Sequence, residues 1–178
     1  QQVTTDQGLF LGGICNPTRT TPIMNELYRV LTEYVLTTVR QLGWYGIGGI
    51  DVLVDQRDRF YFIDANFRMT GTSAFILHLK NHQRFTPLLS FTGIFHGTQA
   101  QFIECLVPLA REGSPKQIMT VAALTKHADG FAMSAGVYFE TKAALEANIT
   151  TLKRAGLASP VFDEIASLRS LRNVFSTE

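Results

Sequence analysis

Apolar residues Ile23, Leu27, Val30, Leu31, Tyr34, Val35 and Leu42 recur at the spacing of one helix face. Thr21 is placed to cap that helix, Pro22 to open it and Gly43 to follow its end, so a helix from Pro22 to about Leu42 is predicted. Before it, Leu9 to Ile14 reads as a glycine-punctuated strand, and Asn16, Pro17 and the threonine-rich Thr18 to Thr21, with Arg19, read as a loop. After it the period changes. Ile50 to Val54 and Phe60 to Ile63 are short apolar runs joined by QRDR, which predicts a β-hairpin. Further on, helices are predicted from Ser73 and over Ala100 to Arg111, with a turn or linker at Glu112 to Lys116. The segments QIMTVAALT and FAMSAGVYF read as strands and TKAALEANITTLKRAG as an amphipathic helix ending at Gly156. The last twenty residues read as a short helical tail. Together these elements predict an α+β fold: an antiparallel sheet carrying the hairpin, helices against one face, then a smaller α/β segment.

Composition narrows the function classes. The chain has 178 residues, 46% hydrophobic and 17% charged, which suits a packed core. Its 16 basic and 15 acidic residues leave a net charge of +1, so no field favours nucleic acid. No apolar run approaches the roughly 20 residues of a membrane span, and the start lacks the regions of a signal peptide. With Cys15 and Cys105 alone there is no disulfide framework, and a cytoplasmic location is the expectation. The absence of an initiator Met and the early apolar run suggest a fragment whose upstream half lies elsewhere.

The hairpin carries the candidate chemistry. A turn centred on Arg57 and Asp58 sets Asp55 opposite Phe60, Leu53 opposite Phe62 and Asp51 opposite Asp64. Asn66 shares the face of Asp64, and Arg68 follows within reach. Like charges opposed across a strand pair destabilise it, and the apolar neighbours predict that both carboxylates lie in or beside the core. Three compensations are physically sound: one acid stays protonated, Arg68 or another base pairs with them, or one or two divalent cations bind between them. Asn66 favours the metal, since its amide oxygen is a hard-cation ligand. All-oxygen ligation selects Mg²⁺ or Mn²⁺, which keeps positions for substrate phosphates.

The run GIDVLVD, a short turn, then FYFIDANFR resembles the metal-binding hairpin in the C-terminal half of the ATP-grasp superfamily. The resemblance covers roughly the first 80 residues, with the strand near Leu9, the helix from Pro22 and the glycine-rich approach in the same order. AMSAGVYFETKAALEANITTLKRAG resembles the tail of such enzymes loosely. The resemblance implies that Asp51, Asp64 and Asn66 ligate magnesium and that, with Arg68, they bind ATP, Arg68 steadying the transferred phosphate. It implies residues 1–114 as the C-terminal half of an ATP-grasp domain and residues 115–178 as a small α/β subdomain. The implied activity is ATP-dependent activation of a small-molecule or peptide carboxylate as an acyl phosphate, for attack by an amine or similar nucleophile. The N-terminal half of the parent is then a required partner and the isolated fragment inactive. A degenerate, non-catalytic nucleotide- or partner-binding module is the alternative. Both acidic positions carry Asp where the family commonly has glutamate.

Other candidates read as structural. His78 and His82 stand four apart on a predicted helix, a zinc-compatible spacing with no third ligand in sight. His96 and His127 have no motif around them, and Thr70 to Ser73 reads as the cap of the next helix. Gly46, Gly48 and Gly49 precede a strand rather than a helix, which argues against a dinucleotide or Walker loop.

Overall fold

The structure is a computed structural model that describes residues 2–5, 7–16, 21–55, 57–81 and 86–165. The loop residues Pro17 to Thr20, His82 and the tail beyond residue 165 lie outside the described residues.

The expected first helix forms and is capped as its residues dictate. It runs as α1 (Pro22–Val30), a π-helical turn (Leu31–Leu36) and α2 (Thr37–Gln41). The Thr21 hydroxyl accepts from the Met24 N–H at 3.3 Å, satisfying one of the donors a helix leaves free at its start. At the other end Gly43 adopts φ 79°; its N–H bonds the Arg40 carbonyl and the Trp44 N–H bonds that of Val39, the two bonds of a Schellman cap. No residue of these three segments is buried, although the apolar stripe is well formed.

The main sheet is antiparallel, in the order β1 (Gln2–Thr4), β2 (Phe10–Cys15), β5 (Leu88–His96), β7 (Gly130–Tyr138), β6 (Met119–His127), with β8 (Leu157–Ala158) on β5. The α+β class and the antiparallel sheet are as expected. Three details differ. The hairpin, β3 (Gly49–Val54) with β4 (Phe60–Asn66), is a separate two-stranded sheet. Because β5 pairs with β7 across position 114, the boundary expected there does not divide the sheet. And helices cover both faces, not one. Neighbouring residues of a strand point to opposite sides, and Leu89 and Val137 join one core cluster while Leu88 and Tyr138 join the other.

The larger cluster lies under α6 (Lys142–Arg154), whose Leu145, Ile149 and Leu152 are buried at helical spacing, and under α7 (Pro160–Glu164) through Val161 and Phe162. Each such side chain contributes about 1.5 to 3 kcal/mol of burial. The smaller cluster seats α3 (Ser73–Asn81) through Phe75 and Leu79. Two short helices, α4 (Gln99–Cys105) and α5 (Val107–Ala110), close the larger core at Leu106.

Close backbone approach explains two glycines. A Cβ at Gly12 would run into the Ser90 carbonyl oxygen, and one at Gly136 would come within 2.6 Å of Leu88 Cδ2. The Ser90 hydroxyl, buried, accepts from the Gly13 N–H at 3.1 Å and donates to the Gly13 carbonyl at 3.0 Å, locking β2 to β5. Among the described residues no helix is long and apolar enough to cross a membrane.

Candidate functional site

The hairpin turn is built by Asp55. Its N–H bonds the Arg59 carbonyl and its own carbonyl accepts from Asp58, which sits at φ 58°. Its carboxylate accepts from the backbone N–H groups of Arg57 at 2.8 Å and Arg59 at 3.0 Å, and from the Arg59 guanidinium at 2.8 Å. The Arg59 backbone N–H foremost, then its guanidinium, the Arg57 N–H and the Tyr61 hydroxyl hold this carboxyl below the usual carboxylate range.

This turn pairs Val54 with Phe60, Leu53 with Tyr61 and Val52 with Phe62, one residue out from the expected register. Beyond Val52 the partner jumps from Phe62 to Asp64, leaving Ile63 as the extra residue of a β-bulge. Asp51 therefore does stand opposite Asp64, and Gly49 opposite Asn66. The expected carboxylate pair is formed, by a turn register and a bulge that offset one another.

The surroundings of the pair differ from expectation. Asp64 is exposed and Asp51 half-buried, so neither is in the core and desolvation does not demand a counter-charge. The apolar residues that suggested a core are themselves open: Leu53, Phe62 and Ile63 are 57%, 45% and 64% exposed. Mutual repulsion across the strands is what remains to be balanced.

Each carboxylate has polar neighbours. Asp64 Oδ1 accepts from the Ala65 N–H and Oδ2 from the Asn66 amide, both at 2.9 Å, so Asp64 and Asn66 are joined as expected. Asp51 Oδ1 accepts from the amide of Gln2 in β1 at 3.2 Å, a partner that no local pattern announces. Arg68 does not reach the pair: its guanidinium donates to the Met69 carbonyl at 3.4 Å, and among the described residues it makes no ion pair. Pairing with Arg68, one of the three compensations, is thus not the arrangement formed.

The donor set of two carboxylates and one carboxamide suits a hard oxygen-seeking cation and lacks the His and Cys ligands that favour zinc. Among the described residues no three His, Cys, Asp or Glu side chains cluster as a metal site.

The neighbouring Thr70 hydroxyl bonds those of Thr72 and Ser73, and the Thr72 carbonyl accepts from the Phe75 and Ile76 N–H groups at the start of α3. His78 Nε2 lies 2.6 Å from the Tyr138 hydroxyl, a contact that ties α3 to the sheet. Both cysteines are free, and burial pushes the Cys15 thiol up. Two hollows, of about 240 and 700 Å³, open elsewhere on the sheet, and none of Asp51, Asp64, Asn66 or Arg68 lines them.

The chain matches no family model and no solved structure.

Proposed function

We propose that the chain is the C-terminal part of an ATP-grasp ligase. The intact enzyme uses ATP to convert a carboxylate to an acyl phosphate, and an amine or similar nucleophile then displaces the phosphate. The observation that carries this reading is the opposition of Asp51 and Asp64 on the hairpin, with Asn66 bonded to Asp64. Asp51, Asp64 and the Asn66 amide oxygen are the groups that would hold Mg²⁺ or Mn²⁺ here. Bound there, such an ion would supply positive charge to offset the charge that develops in phosphoryl transfer.

The chain's own residues orient that site. Gln2 anchors the Asp51 carboxylate to the main sheet, and the Ala65 N–H and Asn66 amide fix the rotamer of Asp64. Arg68 is the phosphate-contacting candidate, provided its guanidinium leaves the Met69 carbonyl. The open apolar faces of the first helix and the hairpin support a partner, the N-terminal half of the same enzyme, that covers them and completes a nucleotide pocket. On this reading the isolated chain binds metal weakly and turns nothing over.

The position of Arg68 favours a second reading, a degenerate module that binds a nucleotide or partner without catalysis. ADP release from the intact parent, given MgATP, a carboxylate panel and amines, separates the two. Turnover that Asp64→Asn abolishes supports the ligase. ATP binding without ADP release under any acceptor supports the binding module.

A further inference from the structure

Away from the hairpin, the cleft of about 240 Å³ between the α4–α5 corner and the β6–β7 edge has an unusual make-up. Its inner wall is core: Leu106 and Met119 are 1% and 0% exposed. Phe102 is held there by ring contacts with Phe95 at 5.5 Å and Phe131 at 5.0 Å. Its rim is apolar and open. Among described residues 86–165, the large hydrophobic side chains left exposed are Ile103, Val107 and Leu124. Val107 and Leu124 line the cleft, and Ile103 stands one turn before Val107. Arg111 is the one charged residue of the lining; it is exposed and makes no ion pair among the described residues.

We propose that this cleft binds a medium-chain alkanoate, with its tail against Phe102, Met119 and Met133 and its carboxylate at the Arg111 guanidinium. Two features choose this ligand. An apolar hollow is filled at a gain by apolar atoms, and at about 30 Å³ for each methylene-sized unit, the share of a water in the liquid, it takes roughly eight. A single unpaired cation at the rim then selects an anionic head, and a planar guanidinium matches a carboxylate. Met119 and Met133 are flexible enough to reshape around a chain. The proposal is independent of the metal hairpin.

The test titrates the full chain with hexanoate, octanoate, decanoate and heptanol, whose tail matches that of octanoate, at low salt, following the Met119 and Met133 methyl resonances. Affinity is expected to rise about fourfold per methylene up to a tail of roughly eight carbons and then to level off. Heptanol should bind about fivefold more weakly than octanoate, and Arg111→Gln should erase that difference. Met133→Trp should block binding by filling the cleft. Should that variant fail to fold, Leu124→Asp on the exposed rim should weaken octanoate more than heptanol. Equal binding of octanoate and heptanol by the wild type overturns the proposal, as does an absence of methyl shifts. Tighter binding of a leucine-terminated peptide than of any alkanoate would also overturn it and assign the cleft to a protein partner.

Discussion

Asp51 and Asp64 are direct partners across the β3–β4 hairpin, and they meet because Ile63 is spare. Without the bulge, the register set at Val54 and Phe60 would bring Ile63 opposite Asp51 and turn Asp64 aside. A bulge re-aims a side chain, here onto its like-charged neighbour. Placing two acids together at the surface, where nothing forces them to pair, is a costly arrangement that, on the proposed reading, a bound cation would offset.

The turn that sets this register is sensitive to acid. The Asp55 carboxyl titrates below its unfolded value of about 4, so its contribution is fully present above that pH and is lost as pH falls through the lower, folded value. Hairpin amide protection in the wild type should therefore fall steeply below pH 4. Asp55→Asn should show weaker protection at neutral pH and little further loss in acid.

The seam between β2 and β5 should tolerate little change. Gly12→Ala drives a methyl into the Ser90 carbonyl and is expected to cost about 3 kcal/mol in chemical denaturation. Ser90→Ala removes both bonds to Gly13 and should cost about 1 to 2 kcal/mol. Gly71→Ala, where an added Cβ meets open space, should stay within about 0.5 kcal/mol.

In α6, Leu152 is fully buried in the larger core. Leu152→Ala should cost about 2 to 5 kcal/mol, and a loss under 1 kcal/mol would mean that this helix is not seated as described.

What the sequence made legible were features written in local residues. Thr21, Pro22 and Gly43 bound the first helix because capping is decided within a turn of chain. The Asp51–Asp64 pair was expected from a turn register one residue off, and the bulge at Ile63, which no local pattern announces, restores it. The hairpin's isolation was not legible. Leu53, Tyr61, Phe62 and Ile63 carry the composition of a core strand, but whether a layer covers them is a tertiary matter. Nine residues of β5, the central strand, received no prediction, although Leu89, Phe91 and Phe95 alternate with Ser90, Thr92 and His96. The serine, threonine and glycine that interrupt the run are its contacts: Ser90 bonds Gly13, the Thr92 carbonyl accepts from the Ser159 hydroxyl, and Gly93 leaves room for the Ala158 carbonyl. Gln2 joined the site from 49 positions away, beyond the reach of any local pattern.

Leu53 and Phe62, on opposite faces of the hairpin, are both open, and the proposed reading has the other half of a longer parent covering them. In the chain alone, Leu53→Ser and Phe62→Ser should each change stability by no more than about 0.5 kcal/mol. In a parent whose other half covers them, each should cost about 1.5 to 3 kcal/mol by the same denaturation measurement.

The most direct measurement is the melting temperature of the chain with and without Mg²⁺, at constant ionic strength, for the wild type and for Asp64→Asn. Metal at about ten times its dissociation constant should stabilise the wild type by about 1.4 kcal/mol, or about 3 to 6 °C. Without metal, Asp64→Asn should match or exceed the wild type, because one repelling charge is gone, and it should lose the response to Mg²⁺. A wild type that ignores Mg²⁺, or an Asp64→Asn variant that responds equally, would contradict a metal-holding hairpin.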